Sequence, residues 1–176
     1  MANLPSKRLA PARPFTHTGL DYFGPLYLKV PEGEKKHWVA IFTCLTVRAV
    51  HLELVPDLSA ESFLLSFRKF LATYGNPKTI ICDNGPQFKA VAKTCENLWA
   101  ECVGSKAVQD LSTNWGIKWT FITPYAPWMG GVYERMVGVV KSSLRKVLGK
   151  AKISPHQLDT LLREVQQVVN TRPLTY

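Results

Sequence analysis

Three carboxylates sit at points where the chain changes character. Asp21 interrupts the apolar and aromatic run HTGLDYFGPLYLKV, Asp83 stands at the exit of TIIC just before Asn84-Gly85-Pro86, and Glu134 follows Gly130-Gly131. Each has an ordinary structural explanation: a strand-edge aspartate, a turn aspartate bonding its own backbone beside a hairpin-prone Asn-Gly pair, and a charge complementing a helix N-terminus. Brought together they would do something that none does alone. Three adjacent carboxylates repel one another unless a cation lies between them. Hard divalent ions such as Mg²⁺ or Mn²⁺ take oxygen ligands and keep positions open for water and phosphate.

The question is therefore which elements could bring them together. HTGLDYFGPLYLKV reads as a strand that ends at the Pro-Glu-Gly turn at 31–33, and HWVAIFTCLTV as a strand buried on both faces. VHLELV alternates Val50, Leu52 and Leu54 with His51 and Glu53, as a half-exposed third strand should. Apolar residues from Ala60 to Tyr74 then fall at helical spacing, behind a Ser59 cap and ahead of Gly75 and Pro77. TIIC is a short buried strand whose helical connection makes it parallel to an earlier one. Residues 89–115 read as two helical stretches divided near Gly104, IKWTFI as a fifth strand, TPYAPWMGG as a Pro- and Gly-rich loop, and 132–148 as a helix. SPHQ is a capping box with proline at the first helical position, opening a last helix that buries Leu158, Leu161, Leu162, Val165, Val168 and Val169. The fold class is α/β: a five-stranded mixed sheet with helices on both faces. With the first and fourth strands as central neighbours, Asp21 and Asp83 come side by side, and the helix after the fifth strand can bring Glu134 to the same edge.

At 176 residues the chain can bury a core without staples, and 22 Lys+Arg against 13 Asp+Glu give a net charge of +9. Such an excess favours a polyanion, with nucleic acid ahead of a membrane or a small-molecule substrate, although a basic protein with no such partner is the plain alternative. Cys44, Cys82, Cys95 and Cys102 form no Cys-x-x-Cys pair and read as reduced thiols of an intracellular protein. The four histidines have no zinc-ligand spacing, and no apolar stretch is long enough to span a bilayer. Residues 1–14 read as a basic, proline-containing linker, and 15–176 as one catalytic-type domain.

The blocks TGLDYFGP, CDNGPQF and TPYAPWMGGVYERM resemble the three Asp-Asp-Glu blocks of the retroviral and LTR-retrotransposon integrase catalytic core, and NTRPLTY is similar to the segment that closes it. The long spacing is most similar to the BEL/Pao group. Asp83 to Glu134 is 134 − 83 = 51 positions, longer than the common retroviral pattern, with the surplus in AVAKTCENLWAECVGSK. Pro86 stands where the family usually has Thr or Ser, which implies altered loop geometry but no loss of a ligand.

The resemblance implies an RNase H-like fold and two Mg²⁺ or Mn²⁺ ions ~4 Å apart, bridged by Asp21, with Asp83 on one and Glu134 on the other. It implies in-line phosphoryl transfer: trimming of the element's DNA 3′ ends and their joining to target DNA, in the nucleus when that DNA is chromosomal. It also implies a homo-oligomer in the full-length form and, since no His-Cys zinc domain precedes these blocks, an isolated core. Two alternatives stay open: a domesticated or fragmentary core that binds nucleic acid or a protein without cutting, and another RNase H-like nuclease. For DNA contacts, Lys141 and Arg145 fall seven and eleven positions after Glu134, within ~20° of its direction on a helix. Arg135 and Lys146 flank that face, while Tyr133, Val137, Val140, Leu144 and Val147 form its buried stripe. A solvated basic face competes with this reading. Trp128 would stack on a base or anchor its loop, and Asn84 would reach DNA beside Asp83.

Overall fold

The computed structural model describes residues 12–83, 85–93, 116–122, 127–149 and 151–172. Strand β1 (His17–Val30) turns at Pro31-Glu32 into the antiparallel β2 (Gly33–Cys44), and β3 (Val50–Val55) completes the meander. Helix α1 (Ala60–Tyr74) leads to β4 (Thr79–Cys82), parallel to β1, and β5 (Lys118–Phe121) lies parallel to β4. The order across the sheet is β3-β2-β1-β4-β5, so β1 is central, as the sequence predicts. Helices α2 (Pro127–Leu148) and α3 (Pro155–Thr171) follow. Among the described residues no helix is long and apolar enough to cross a membrane.

The period of two in β2 explains its continuous apolar run. Val39 and Ile41 pack with Met136, Val137, Val140, Leu158 and Leu162 of α2 and α3, whereas Ala40 and Phe42 pack with Phe63, Phe67 and Phe70 of α1. Helices thus cover both faces of the sheet. The α1 face is aromatic: the Phe42 and Phe70 rings stack with centroids 4.3 Å apart. Ser59 caps α1 by accepting from the Ser62 N–H, and Gly75 ends it at φ 73°, a conformation that suits glycine. The Ser154–Gln157 capping box and Pro155 start α3 as expected. Cys44 and Cys82 are free and buried.

Several details depart from the sequence reading. Helix α2 begins at Pro127, where a fixed φ suits a first turn, and continues through Gly130-Gly131 instead of starting at 132. Glu134 therefore lies two turns inside the helix, and complementing the N-terminal dipole is no longer a reason for its presence. The sequence 85–90 does not form a hairpin: the Gly85 carbonyl accepts from the Phe88 and Lys89 N–H groups and residues 86–93 are helical. Pro86 occupies the first helical position, where its missing N–H is not needed. Val147 and Val168 are exposed, because adjacent helical residues point ~100° apart and Leu148 and Val169 take the core positions. The remaining readings for residues 1–11, 94–115, 123–126 and 173–176, Cys95 and Cys102 among them, lie outside the described residues.

Strand β3 is not half exposed: His51 and Glu53 are both buried, under α1. Glu53 is accommodated by two cations and an imidazole: Arg163 Nη2 at 2.7 Å, Lys69 Nζ at 3.2 Å and His51 Nε2 at 3.1 Å. At the sheet edge, α3 supplies what a sixth strand would. Val50 N–H donates to Asn170 Oδ1 (2.7 Å), Asn170 Nδ2 donates to Val50 O (2.9 Å), Leu52 N–H donates to Gln166 Oε1 (2.9 Å), and Arg163 Nη1 donates to Leu52 O (2.8 Å). The spacing 163, 166, 170 keeps these side chains on one helical face. Asn170→Leu removes two of the four bonds and should cost about 1–3 kcal/mol, read as a fall of several degrees in Tm. It should also promote association through the bared edge, detected by light scattering. A variant with unchanged Tm and scattering would show that this ladder does not protect β3.

Candidate active site

The site is built on β1. Alternation puts Gly19, Asp21 and Phe23 on one face, and two contacts identify that face as the one under α2. A Cβ built on Gly19 would lie 2.7 Å from Tyr133 Cδ1, and Lys141 Nζ sits over the Phe23 ring at 5.8 Å. Two elementary lengths agree with this pairing. Tyr133 to Lys141 spans ~12 Å along a helix, and Gly19 to Phe23 spans ~13 Å along a strand. Helix and strand therefore run side by side in the same direction, with Asp21 midway between the two contacts.

The parallel pairing of β1 with β4 ends at Leu20 opposite Cys82, which leaves Asp21 and Asp83 as the next residues on neighbouring strands. Burial pushes the Asp21 carboxyl up and the Tyr22 N–H, donating to Oδ1 at 2.7 Å, pulls it down. The charges of Asp83 and Glu134 push it up again against Lys141, leaving it at about 6. Two separate segments, the end of β4 and helix α2, thus place charges that act on one carboxylate. The buried Tyr133 hydroxyl is raised by burial and then by Asp21, Glu134 and Asp83. Asp83 is exposed and accepts the Gly85 N–H at 2.9 Å, so the turn role foreseen for it coexists with its place in this cluster.

Among the described residues no three His, Cys, Asp or Glu side chains stand together as a set ready to hold a metal ion. One oxygen of each aspartate is taken by a backbone N–H. The donor chemistry nonetheless suits a hard cation, since the three groups offer only carboxylate oxygens. The nearest soft ligand is withdrawn: burial, Asp83 and Asp21 push the Cys82 thiol up to about 12.

Of the basic residues singled out above, Lys141 joins the cluster. Arg135, Arg145 and Lys146 are exposed on α2, and Arg145 and Lys146 lie in its last turn, where they also complement the helix dipole. Trp128 belongs to the first turn of α2 and not to a loop, and Asn84 lies outside the described residues. Sequence reasoning passed over Gly19 and Phe23. The available signal was their i, i+2 spacing to Asp21 on either side.

The family model for the integrase core domain matches residues 11–127, a span that includes Asp21 and Asp83 and ends before Glu134. No curated protein matches. Among solved structures, a chain of the simian T-cell lymphotropic virus intasome, in complex with PP2A regulatory subunit B56 gamma, superposes with a TM-score of 0.64 at 20% identity over 93% of this chain. This chain spans about half of that one, 51% of its length. The HTLV-2 integrase catalytic core domain in complex with magnesium, in its dimeric form, gives 0.59 at 20% identity, covering 92% of this chain and 90% of that one. The catalytic core domain of BIV integrase gives 0.59 at 17% identity, covering 92% and 88%. These structural likenesses establish the RNase H-like integrase core fold.

Proposed function

Because this chain belongs to the integrase core domain family, we propose that it catalyses divalent-metal-dependent phosphoryl transfer on DNA, processing the 3′ ends of an element's DNA and joining them to a target. Asp21, Asp83 and Glu134 would hold Mg²⁺ or Mn²⁺, and two such ions, when bound, supply Lewis-acid activation of a water or 3′-hydroxyl and neutralise charge at the leaving oxygen. One observation carries the reading most: the carboxylates of Asp83 and Glu134 both act on Asp21 from separate elements. A partly buried carboxylate with two further acids near enough to raise it is what an enzyme keeps for chemistry rather than for stability.

The chain's own residues supply the rest. Asp21 is partly buried on the central strand, so its position is fixed by the sheet. Lys141, over the Phe23 ring and close enough to act on Asp21, would receive the phosphate next to the reacting one, and Arg145 would extend that track along α2. The long Asp83–Glu134 spacing supports placement in the BEL/Pao group of LTR retrotransposons. DNA in the nucleus is the substrate this reading implies, with assembly of several copies in the full-length protein.

The test is strand transfer, or its reversal on a branched DNA, with and without Mg²⁺ or Mn²⁺. Absence of metal-dependent turnover in both directions would overturn the proposal.

The phosphate track has its own test. If Lys141 and Arg145 each neutralise one phosphate, replacing both with Ala should flatten the slope of log affinity against log salt by up to ~2 units on duplex DNA, nearly alike for unrelated sequences. Replacing Lys7 and Arg8 gives a control with the same change in net charge. An equal flattening in the control would assign the effect to general charge and remove the helix from the account.

A further inference from the structure

We infer that Gly19 and Tyr133 form a size-matched seat that sets how far along β1 the helix α2 docks, and so holds Glu134 beside Asp21. Neither residue carries a carboxylate, and nothing in the chemistry itself calls for them. The inference rests on the catalytic reading only in its consequence for metal binding. The seat itself is a matter of packing.

Gly19 is the third residue of the central β1 and is paired on both sides, with Thr43 on β2 and Ile81 on β4. A glycine there weakens a strand and calls for a reason, of which close approach by another group is the usual one. The close group is the Tyr133 side chain. A Cβ at residue 19 would lie 2.7 Å from Tyr133 Cδ1, 3.1 Å from its Cβ and 3.2 Å from its Cγ. Two of these three are the root of the side chain, which cannot swing aside without the helix backbone. The ring is buried, and Tyr133 immediately precedes Glu134 in the helix.

The alternative anchors do not fix the position as well. Met136, Val137, Val140 and Leu144 pack against the sheet as a buried apolar stripe, which holds α2 onto the face but marks no single residue of β1. Lys141 over Phe23 is a contact at the tip of a long, flexible side chain. At Gly19 the Tyr133 side chain rests on the strand with no β1 side chain between. Gly19 lies on Asp21's own side of the pleat, two strand residues before it, and Tyr133 is one helical residue from Glu134. Small errors there pass directly into the separation of the two acids.

Crystal structures of the wild type and Gly19→Ala, with Mn²⁺ titrations of both, decide the matter. In Gly19→Ala the helix should move away from β1 and carry Glu134 with it, and Mn²⁺ affinity should fall at least tenfold. Adding Tyr133→Ala, which removes Cδ1 and Cγ and leaves only the 3.1 Å approach of Cβ, should restore a good part of that affinity, whereas Tyr133→Ala alone weakens it. Tyr133→Phe keeps the ring and should hold Mn²⁺ nearly as the wild type does, which a role for the hydroxyl would not allow. An α2 that stays in place in Gly19→Ala, or losses that simply add in the double variant, would overturn the inference. If Gly19→Ala does not fold, Tyr133→Ala replaces it, and Mn²⁺ affinity unchanged there counts against the seat. A wild type that binds no Mn²⁺ would refute the catalytic proposal instead, and the seat would then be judged on the two crystal structures alone.

Discussion

Asp83→Asn is expected to lower metal-dependent strand transfer, or its reversal, by more than ~100-fold, because even partners one step removed from a metal cost 10- to 100-fold when lost. The substitution keeps the side chain's shape and its ability to accept the Gly85 N–H. Asp83 is exposed. Stability should therefore stay within about 0.5 kcal/mol of the wild type, and DNA affinity should change little, since the substitution removes no cation. That combination separates chemistry from folding. A mutant as active as the wild type would take Asp83 out of the mechanism.

Glu53→Gln should produce the largest loss of stability for so small a change. Burial alone would push this carboxyl up, but His51 and Arg163 outweigh it and hold it at about 2, against an ordinary value of 4.5. A depressed carboxyl contributes stability that is fully present above its unfolded value and is lost as pH falls through its folded one. The window is therefore from about pH 4.5 down to about 2. Arg163 and Lys69 are partly in water, which screens their share, so the expected loss at pH 7 is about 2 kcal/mol. In a chain of this size that is a fall of about 4–8 °C in Tm. The sharper sign lies in the pH profile: Glu53→Gln should lose less stability than the wild type between pH 4.5 and 2, so that the two curves converge in acid. Parallel curves across that range would mean that Glu53 contributes nothing through its charge.

Much of the fold was legible because its signals are local. Strand β1 and β3 have the bounds read from the sequence, the Ser59 and Ser154 caps act as their residue types require, and the helix between β3 and β4 implies their parallel neighbour. What local pattern could not give was what lies over each strand. VHLELV alternates like a half-exposed strand, yet Glu53 is buried because Arg163, 110 positions later, comes back to meet it. Gly130-Gly131 looked like a loop because glycine weakens helices, but the sequence after it is strong enough to carry the helix back to Pro127. The proposal that the three acids form a set came from the expected order of the strands, and that order is the part the fold bears out. Their mutual effect on Asp21 depends on how closely α2 approaches β1, and that distance is governed by Gly19, a residue that carries no chemical signal at all.

The central claim is that Asp21, Asp83 and Glu134 together hold divalent metal at one edge of the sheet. Anomalous diffraction from crystals soaked in Mn²⁺ tests it most directly, because manganese is located by its own scattering. The account predicts anomalous peaks in contact with the carboxylates of Asp21 and Asp83, with Glu134 drawn toward them, and no such peaks in Asp83→Asn. Manganese found only elsewhere on the surface, or undiminished at this edge in Asp83→Asn, would contradict it.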